Sequence, residues 1–588
     1  MIKQYYYIQC LFTIIVSFFL VVFFNKTCPA ASASKDFNIV LITIDALRAD
    51  HLSCYGYDRT TSPNIDKIAE NGIIFKNAIA PSSWTAPSMV SLFTSVYPIN
   101  HGVIHGLGYI KNKDKQEVFS DKLITLAETL KAQGYTTVGV AANLHLSEEF
   151  GFARGFDYFK CLPFSPAQPV NKAIYSWEDK IKKSDKFFLW VHYIDPHHPY
   201  HARDPWLEHY TTRALTRELK LSEKPWGDFL KLIPDFEEYP KVLSNLVALY
   251  DSEINYVDSY IGELIQRFEL DKNTLIIITA DHGEGFLEHG QLGHGTNLYQ
   301  ETIHIPLIVK LPHSSKKKIA NKYVNLLDIM PTILQTLNTN PPKQTAGKSI
   351  FKKKGPLSWL KKTLLRKDSS DYIFTELDTN ITLKTIITSK WKYLYNYRDK
   401  TDQLYNIKSD PWELDNLIEY EFERSNKLKE QLFDWVENSN KYPTKIKSFQ
   451  LSPEERKKLE AMGYLQVTDD IDKDGIPDND DNCPYVFNPN QKDTYPPGGN
   501  DIGDACDCEG DFNCDGNVNA LDAAFISGWF KKRTKLSNPC TNENPCYGDF
   551  DCDGDVDNDD KAIFYADFGR SKNNNPCPPC EVGDWCSY

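Results

Sequence analysis

Four short runs of apolar residues, spread between residues 37 and 280, predict strands that are buried on both faces. Runs of this length, rich in β-branched and aromatic residues, are typical of the central strands of a parallel sheet. Segments with helical spacing of apolar residues alternate with such runs up to about residue 465. This alternation predicts an α/β domain with a mostly parallel central sheet flanked by helices. The four runs are Asn38–Ile44, 135–141, Phe187–Tyr193 and 274–279.

Two helices carry clear signals of their own. Ser62 fits the N-cap position, Pro63 fits the first helical position, and the Asn-Gly pair at residues 71–72 predicts the end of that helix. Residues 251–264 have the spacing of an amphipathic helix.

The polar residues that directly follow the four strands are of types that bind metals or substrates. In open α/β sheets, ligands bind beyond the carboxyl ends of the strands. The sequence therefore predicts one shared site at that edge. Its candidate residues are Asp45, then Asn143 and His145, then Asp195 and His197, then Asp281 and His282.

The chain has 588 residues and a net charge of −14, but the acidity is local. Residues 469–588 hold 26 Asp or Glu against 9 Lys or Arg, whereas the preceding 468 residues hold 54 against 57. An acidic surface argues against a nucleic-acid partner. The acids recur at a regular spacing, which indicates cation ligands instead.

Both ends of the chain indicate export. Lys3 precedes an apolar run at 8–24 and small residues follow near Ala33, so residues 1–33 are predicted to be a signal peptide. An uncleaved membrane anchor is the competing interpretation, because the run of 17 residues can nearly span a bilayer. Ten of the 14 cysteines follow residue 480, which predicts disulfides in an oxidising compartment. We therefore expect a secreted or cell-surface protein.

The Cys-rich tail contains three loops with calcium-ligand spacing. Oxygen-bearing side chains occupy positions 1, 3, 5, 9 and 12 of each loop and glycine occupies position 6, as in EF-hand loops. Residues 469–508 resemble a thrombospondin type 3 repeat, and residues 509–588 resemble a dockerin-type pair of calcium loops. We expect structural Ca2+ and attachment to a cell surface or scaffold; a solvated acidic linker is the alternative. The predicted ligands are Asp470, Asp472, Asp474, Asp478, Asp481, Asp511, Asn513, Asp515, Asn519, Asp522, Asp549, Asp551, Asp553, Asp557 and Asp560.

Five separated blocks, in order between residues 37 and 465, resemble the sulfatase family. The resemblance implies a catalytic domain at 35–465 with an alkaline phosphatase-like fold, which hydrolyses sulfate or phosphate esters. It also implies one divalent metal, Ca2+ by family, with Mn2+ or Mg2+ as alternatives. The blocks are residues 38–52, 84–102, 195–200, 281–284 and 404–417, and residues 460–465 resemble the usual terminal motif.

The resemblance places the metal on Asp45, Thr85, Asp281 and His282, with Thr85 as the nucleophile. Thr85 precedes Pro87 and an apolar helical stretch, near a helix N-terminus, where backbone N–H groups favour an anion. A simple N-cap is the alternative role for Thr85.

This chain departs from ordinary sulfatases at four positions. They carry Cys or Ser at the position of Thr85, oxidised to formylglycine, which threonine cannot form because its Cβ bears a methyl group. The expected arginine is Met89, the second Asp of an adjacent pair is Ala46, and the expected lysine is Asn143. The remaining set resembles the metal-dependent threonine enzymes of the superfamily, such as phosphoglycerol and phosphoethanolamine transferases. Because a phosphothreonine can be cleaved by metal-activated water, the chemistry favours phosphoesters.

The remaining histidines divide into two groups. His145, His197 and His294 are predicted to be catalytic, with Asn143, His197 and His294 in contact with the substrate, although structural roles stay open for the three histidines. His192, His198 and His289 are predicted to be structural, and Arg48 and Asp50 to form a local salt bridge or cap.

Three functions remain open at this stage. The first is a metal-dependent hydrolase of sulfate or phosphate esters outside the cytoplasm. The second is a transferase that passes a phospho-group to an alcohol through phosphothreonine. The third is a catalytically inactive surface protein that binds glycans.

Overall fold

The computed structural model describes residues 37–105, 115–211, 239–351, 372–379 and 381–448. The predicted signal peptide or anchor, the motif at 460–465 and both tail modules, with their calcium ligands and ten cysteines, lie outside the described residues. None of the helices in the described ranges combines the length and the apolarity that crossing a membrane requires.

Sixteen strands occur in the described residues, numbered here in chain order. They are β1 (Asn38–Ile44), β2 (Ile73–Ile79), β3 (Lys115–Val118), β4 (Thr136–Ala141), β5 (Tyr158–Cys161), β6 (Phe187–Tyr193), β7 (Thr274–Ala280), β8 (Gly285–Phe286), β9 (Leu292–Gly293), β10 (His304–Lys310), β11 (Lys318–Asn325), β12 (Ile373–Asp378), β13 (Thr382–Ile387), β14 (Lys392–Asn396), β15 (Thr401–Tyr405) and β16 (Lys445–Ser448).

Eight of these strands form the central sheet, in the order β11-β2-β10-β7-β1-β6-β4-β5. The strands from β7 to β5 all run parallel, whereas β10 is antiparallel to both of its neighbours. The predicted mostly parallel sheet is therefore confirmed. β1 and β6 have the predicted bounds, β4 begins one residue later, and β7 ends one residue later.

Ten α-helices of the described residues pack around the sheets. The longest, α7, contains the amphipathic segment predicted at 251–264 and packs against α1 and α5. The helices are α1 (Pro63–Ala69), α2 (Thr85–Thr94), α3 (Pro98–His101), α4 (Leu126–Ala132), α5 (Ala167–Tyr175), α6 (Glu178–Lys182), α7 (Tyr239–Arg267), α8 (Gln300–Ile303), α9 (Ile329–Thr336) and α10 (Phe422–Glu437).

The start of α1 corrects one prediction. Ser62 lies at the N-cap position and Pro63 at the first helical position, as expected, but the Ser62 side chain makes no cap hydrogen bond. Its hydroxyl bonds Asp66 instead. The backbone N–H groups of Asn64 and Ile65 donate to the Asp258 carboxylate of α7, at 2.7–3.1 Å. A distant residue therefore supplies the cap that the sequence assigned to a local one.

A second, smaller sheet follows the central one in the chain. β12 to β15 form an antiparallel sheet in sequential order, and α10 packs on β13 and β14. Six buried residues give this unit an apolar cluster of its own: Ile386, Trp391, Tyr393, Leu404, Leu428 and Leu432.

Candidate metal centre and active site

Four neighbouring parallel strands bring polar residues to one edge of the central sheet. β7, β1, β6 and β4 lie side by side, so their carboxyl ends share an edge. Asp281 directly follows β7, Asp45 directly follows β1, and Asn143 follows β4 by two residues. All three side chains are buried. The predicted grouping is confirmed for Asp45, Asn143 and Asp281. Asp195, which follows β6, was also assigned to this site, but it pairs with Arg203 at 2.9 Å instead.

Asp45 lies at the centre of the contacts at this edge. Its Oδ2 atom accepts a hydrogen bond from Asn143 Nδ2 at 2.7 Å and lies 3.1 Å from His192 Nε2. Its Oδ1 atom lies 3.5 Å from Thr85 Oγ1 and 3.4 Å from His282 Nε2. The two oxygens of one carboxylate thus face two different groups of side chains.

Asp281 and His282 lie beside Asp45, and we call these three residues the inner part of the site. Asp281 Oδ1 accepts from the backbone N–H groups of Ala46 and His282, at 3.2 and 2.9 Å. Its other oxygen, Oδ2, is buried and has no hydrogen-bond partner among the described residues; it lies 3.5 Å from His282 Nε2. His282 Nδ1 lies 2.8 Å from the carbonyl oxygen of Gly283 and must donate to it.

These residues fit a divalent metal ion. A buried carboxylate oxygen without a partner carries a large desolvation cost, which a bound cation would offset. Ligand atoms of Asp45, His192 and Asp281 all lie within 4.8 Å of one another. Carboxylate oxygens and imidazole nitrogens are common metal ligands. Asp45, Thr85, Asp281 and His282 were predicted as ligands; His192 was not.

The pKa shifts in the inner part indicate that its two buried carboxylates are stabilised by positive charge. Burial, together with the nearby Asp45 carboxylate, raises the pKa of Asp281 to about 6. Burial also raises the pKa of Asp45, but His197, His192 and His282 outweigh it and hold that pKa well below its ordinary value. Burial lowers the pKa of His282, yet Asp281 and Asp45 raise it to about 9. Two buried carboxylates here recruit a proton, the role a cation would otherwise fill.

Thr85 is the first residue of α2, and Trp84 occupies the N-cap position. The hydroxyl oxygen of Thr85 lies 3.3 Å from His282 Nε2 and 3.4 Å from the donor Nδ2 of Asn143. The predicted nucleophile therefore faces the candidate ligands from a helix N-terminus, as the sequence indicated. Met89, at the position of the expected arginine, is buried in the same helix.

Three further histidines lie near these residues, of which His145 and His197 are buried and His294 is partly buried. The His294 ring lies 4.2 Å from the His282 ring and 4.7 Å from the His197 ring, centroid to centroid. The His145 ring packs edge-on against Trp84. Burial lowers the pKa of both His145 and His197 to about 4, so these two rings are neutral at neutral pH. We call His145, His197 and His294 the outer histidines.

Glu284 holds His294 in place, a role the sequence did not suggest. His294 Nδ1 lies 2.9 Å from Glu284 Oε1, and the Tyr200 hydroxyl donates to Glu284 Oε2 at 3.1 Å. Burial raises the pKa of Glu284 to about 7. The residue follows His282 by two positions in the chain, which was the only available signal.

The residues predicted to be structural mostly lie apart from this site. Arg48 is paired with Asp50 at 2.8 Å and also with Glu288, which confirms the predicted local salt bridge. His289 bonds Glu301 and stacks on Tyr299, and His198 packs against Tyr200. His192 is the exception. It lies near the end of β6, opposite Thr43 of β1, and its side chain reaches Asp45.

Two models of known protein families together match most of the described chain. The family model described as "Sulfatase" matches residues 37–339, which is more than half of the chain. A second model, "N-sulphoglucosamine sulphohydrolase, C-terminal", matches residues 288–441. This second match includes the antiparallel sheet formed by β12 to β15.

Individual proteins are similar at low sequence identity. The uncharacterized sulfatase YidJ of Escherichia coli is 24% identical over 444 residues, 65% of this chain and 83% of that protein. An N-acetylglucosamine-6-O-sulfatase of Bacteroides thetaiotaomicron is 24% identical over 66% of this chain and 84% of its own length. The crystal structure of phosphonate monoester hydrolase of Agrobacterium radiobacter has a TM-score of 0.53 at 20% identity, covering 68% of this chain and 95% of that one. This likeness confirms the predicted fold.

Proposed function

The chain belongs to the sulfatase family, and from that premise we propose that it is an exported, metal-dependent ester hydrolase with Thr85 as its nucleophile. The family membership makes it a hydrolase of the class that acts on sulfate esters. The nucleophile, the metal, the extracytoplasmic location and the preferred ester are the proposed parts.

One observation carries the proposal: the position of the Thr85 hydroxyl. It lies at the first position of α2, 3.3 Å from His282 Nε2 and 3.5 Å from Asp45 Oδ1. The N-terminus of this ten-residue helix favours an anionic ester group. Trp84 occupies the N-cap position without a side-chain cap hydrogen bond, and Thr85 is the first helical residue, so the N-cap role considered for Thr85 does not apply.

The reaction would proceed in two displacements. Thr85 Oγ1 loses its proton and forms a bond to the phosphorus or sulfur atom, while the bond to the leaving alcohol oxygen breaks and that oxygen takes up a proton, so that no net proton is gained or lost in this step. Water then attacks the same atom, the bond to Thr85 breaks, and Thr85 recovers its proton. Asp45, Asp281 and His282 would hold a divalent cation, whose positive charge would activate the hydroxyl and stabilise the ester oxygens. His294, whose ring lies near His282, is the candidate for protonating the leaving oxygen, and the neutral His197 beside it can form a hydrogen bond to the substrate.

We propose that phosphate esters are better substrates than sulfate esters. A formylglycine sulfate breaks down readily through its aldehyde hydrate, a route that is closed to a threonine. A phosphothreonine can be cleaved by activated water. Asn143, at the position of an expected lysine, donates to both Asp45 and Thr85 but brings no charge.

The same threonine supports a second candidate function. If an alcohol takes the place of water in the second displacement, the enzyme transfers a phospho-group instead of hydrolysing the ester. The third alternative, an inactive glycan-binding protein, predicts a loaded metal site with no turnover of either ester class.

Turnover assays with matched variants test these alternatives. Purified protein is assayed on p-nitrophenyl sulfate, p-nitrophenyl phosphate and bis-p-nitrophenyl phosphate across several metals. Thr85→Ala should abolish turnover with little change in melting temperature, and Thr85→Ser should retain part of it. Ser88→Ala is the control, because Ser88 lies in the same helix and its hydroxyl only donates to the Ser82 carbonyl. A Thr85→Ala enzyme as active as Ser88→Ala would refute the nucleophile.

For the tail, we propose about three structural Ca2+ ions, one per loop of this spacing, and a role in attachment to a surface or scaffold. EDTA should lower the melting temperature of the tail and increase protease cleavage after residue 466. A tail indifferent to EDTA would count against the calcium loops. N-terminal sequencing of the exported protein separates cleavage near Ala33 from retention of an anchor.

A further inference from the structure

Two histidines flank the Asp45 carboxylate, one beside each oxygen. His282 Nε2 lies 3.4 Å from Oδ1, and His192 Nε2 lies 3.1 Å from Oδ2. Both rings are fully buried. Each ring is also held from behind through its Nδ1 atom. This arrangement has the form of metal-ligating histidines, whose second nitrogen normally bonds a fixed partner.

The tautomer of His282 follows from its partner. A carbonyl oxygen can only accept, so the Gly283 oxygen fixes the proton of a neutral His282 on Nδ1. Its Nε2 atom then presents a lone pair to Asp45, Asp281 and Thr85.

The partner of His192 leaves its tautomer open, because the Thr43 hydroxyl can either donate or accept. Thr43 Oγ1 accepts from Trp190 Nε1 at 3.0 Å and lies 2.9 Å from His192 Nδ1. Its own proton can point to His192 Nδ1 or to the Val191 carbonyl oxygen at 3.3 Å. In the first case, His192 Nε2–H donates to Asp45. In the second case, Nδ1–H donates to Thr43, and Nε2 offers a lone pair where a cation can bind. A rotation of one hydroxyl group and the transfer of the ring proton from Nε2 to Nδ1 thus convert His192 from a donor into a ligand.

The residue at position 46 leaves room in the ligand set for a second histidine. The second aspartate of the usual pair is Ala46, so this site lacks one carboxylate. The ligand atom of His192 lies within 4.8 Å of those of Asp45 and Asp281. An imidazole in place of a carboxylate changes the donor set from oxygen-rich to mixed nitrogen and oxygen. Ca2+ takes six to eight oxygen ligands, whereas imidazole favours Zn2+ and related transition metals.

We propose that His192 is a ligand of the active-site metal and that this site therefore selects a transition-metal cation such as Zn2+ over Ca2+. The inference deepens the metal site on which the proposed function rests. It departs from the family expectation of Ca2+ and adds a ligand that the sequence analysis had placed among the structural histidines.

X-ray absorption at the zinc edge tests the proposal without any assay of turnover. The full chain is stripped with EDTA, loaded with one equivalent of Zn2+ and measured beside the His192→Ala variant. The spectrum of the wild type should show two imidazole ligands, and that of the variant should show one. His101→Gln is the matched control, because His101 is a buried histidine bonded to the uncharged groups Ser91 and Pro87; it should keep both imidazoles.

A competition experiment provides the second readout. Co2+ replaces Zn2+ as a visible probe, because oxygen-only calcium loops do not produce the absorption of a mixed nitrogen and oxygen site. Excess Ca2+ should leave the cobalt spectrum unchanged, and Zn2+ should displace it. Thr43→Val, which removes the partner of His192 Nδ1 and also the acceptor of Trp190 Nε1, should weaken Zn2+ binding by about 10- to 100-fold. This variant keeps the test available if His192→Ala fails to fold.

The outcomes separate this inference from the proposed function. One imidazole in both wild type and His192→Ala, or a site that Ca2+ fills and Zn2+ does not, would overturn the inference even if the enzyme turns over esters. Two imidazoles in a protein that cleaves no ester would sustain the inference and remove the proposed function.

Discussion

Histidines occur both among the inner residues of the site and in the outer group, but their electrostatic surroundings differ. Asp281 and His282 directly follow a central strand, and two buried carboxylates lie within 4 Å of the His282 ring. Among the outer histidines, His145 packs against Trp84 and His197 against His294, whereas His294 pairs with the Glu284 carboxylate. The pKa of His282 is raised to about 9, and those of His145 and His197 are lowered to about 4, although all three are equally buried.

The difference shows that a neighbouring carboxylate, more than burial, decides what a histidine can do here. Inner histidines can carry a proton or bind a cation. The lowered pKa values of His145 and His197 keep these two rings neutral, so they can form hydrogen bonds to a substrate, whereas His294 pairs with the Glu284 carboxylate and can also carry a proton. Changes in the inner group should therefore alter metal content, whereas changes in the outer group should alter turnover alone.

The largest expected effect is that of Asp281→Asn. It removes the negative charge of a carboxylate whose Oδ2 atom has no hydrogen-bond partner within the part of the chain that the structure describes. The protein should therefore lose its metal and about 10⁴-fold in activity. Elemental analysis after gel filtration measures the metal. Asp195→Asn is the control, since Asp195 is also a buried acid after a central strand but pairs with Arg203. Equal metal contents in the two variants would erase the distinction.

His294→Gln should affect turnover while leaving the metal in place. If His294 protonates the leaving oxygen, the loss should be about 10²-fold or more for alkyl esters and much smaller for p-nitrophenyl esters, whose leaving group needs no proton. Glu284→Gln should act in the same direction more weakly, because it loosens the ring that it orients. His198→Gln serves as the control, because the His198 ring packs on Tyr200. A loss that is independent of the leaving group would make His294 a structural residue.

The smallest effect on chemistry should come from Glu413→Gln, which instead tests stability. Glu413 and Lys392 are both fully buried and paired at 2.7 Å, and they bond the backbone of Gln300 and Leu298, beyond the His294 segment. Breaking a buried pair leaves an uncompensated charge, so the free energy of unfolding should fall by about 3–5 kcal/mol.

Metal content of the Glu413→Gln variant should stay unchanged, because the pair lies outside the inner residues. The control is Glu178→Gln, whose partner Lys182 is 53% exposed, and it should change stability little. Loss of metal from Glu413→Gln would show that metal binding by the inner residues depends on this distant buried pair.

The sequence predicted the strands better than it predicted their neighbours. Central strands are apolar throughout, so β1 and β6 were found with their bounds and the residues after them as site candidates. Such runs do not reveal strand order. The contact of His192 with Asp45 depends on β6 lying beside β1, and that pairing joins residues about 150 positions apart.

Other features escaped for the same reason. Asp258 caps α1 from 194 positions away, where local signals pointed to Ser62. Glu284 was visible only as part of a motif, because its partners Tyr200 and His294 come from other segments. Side-chain contacts between distant segments leave no periodic pattern in a sequence.

The most direct test of the central claim is mass spectrometry of the protein quenched in acid during turnover of bis-p-nitrophenyl phosphate. Peptides containing Thr85 should carry a phosphate-derived group on that residue, and the group should be absent from Thr85→Ala and from protein without substrate. Sustained turnover with Thr85 unmodified, or robust hydrolysis of sulfate esters with phosphate esters untouched, would contradict the account.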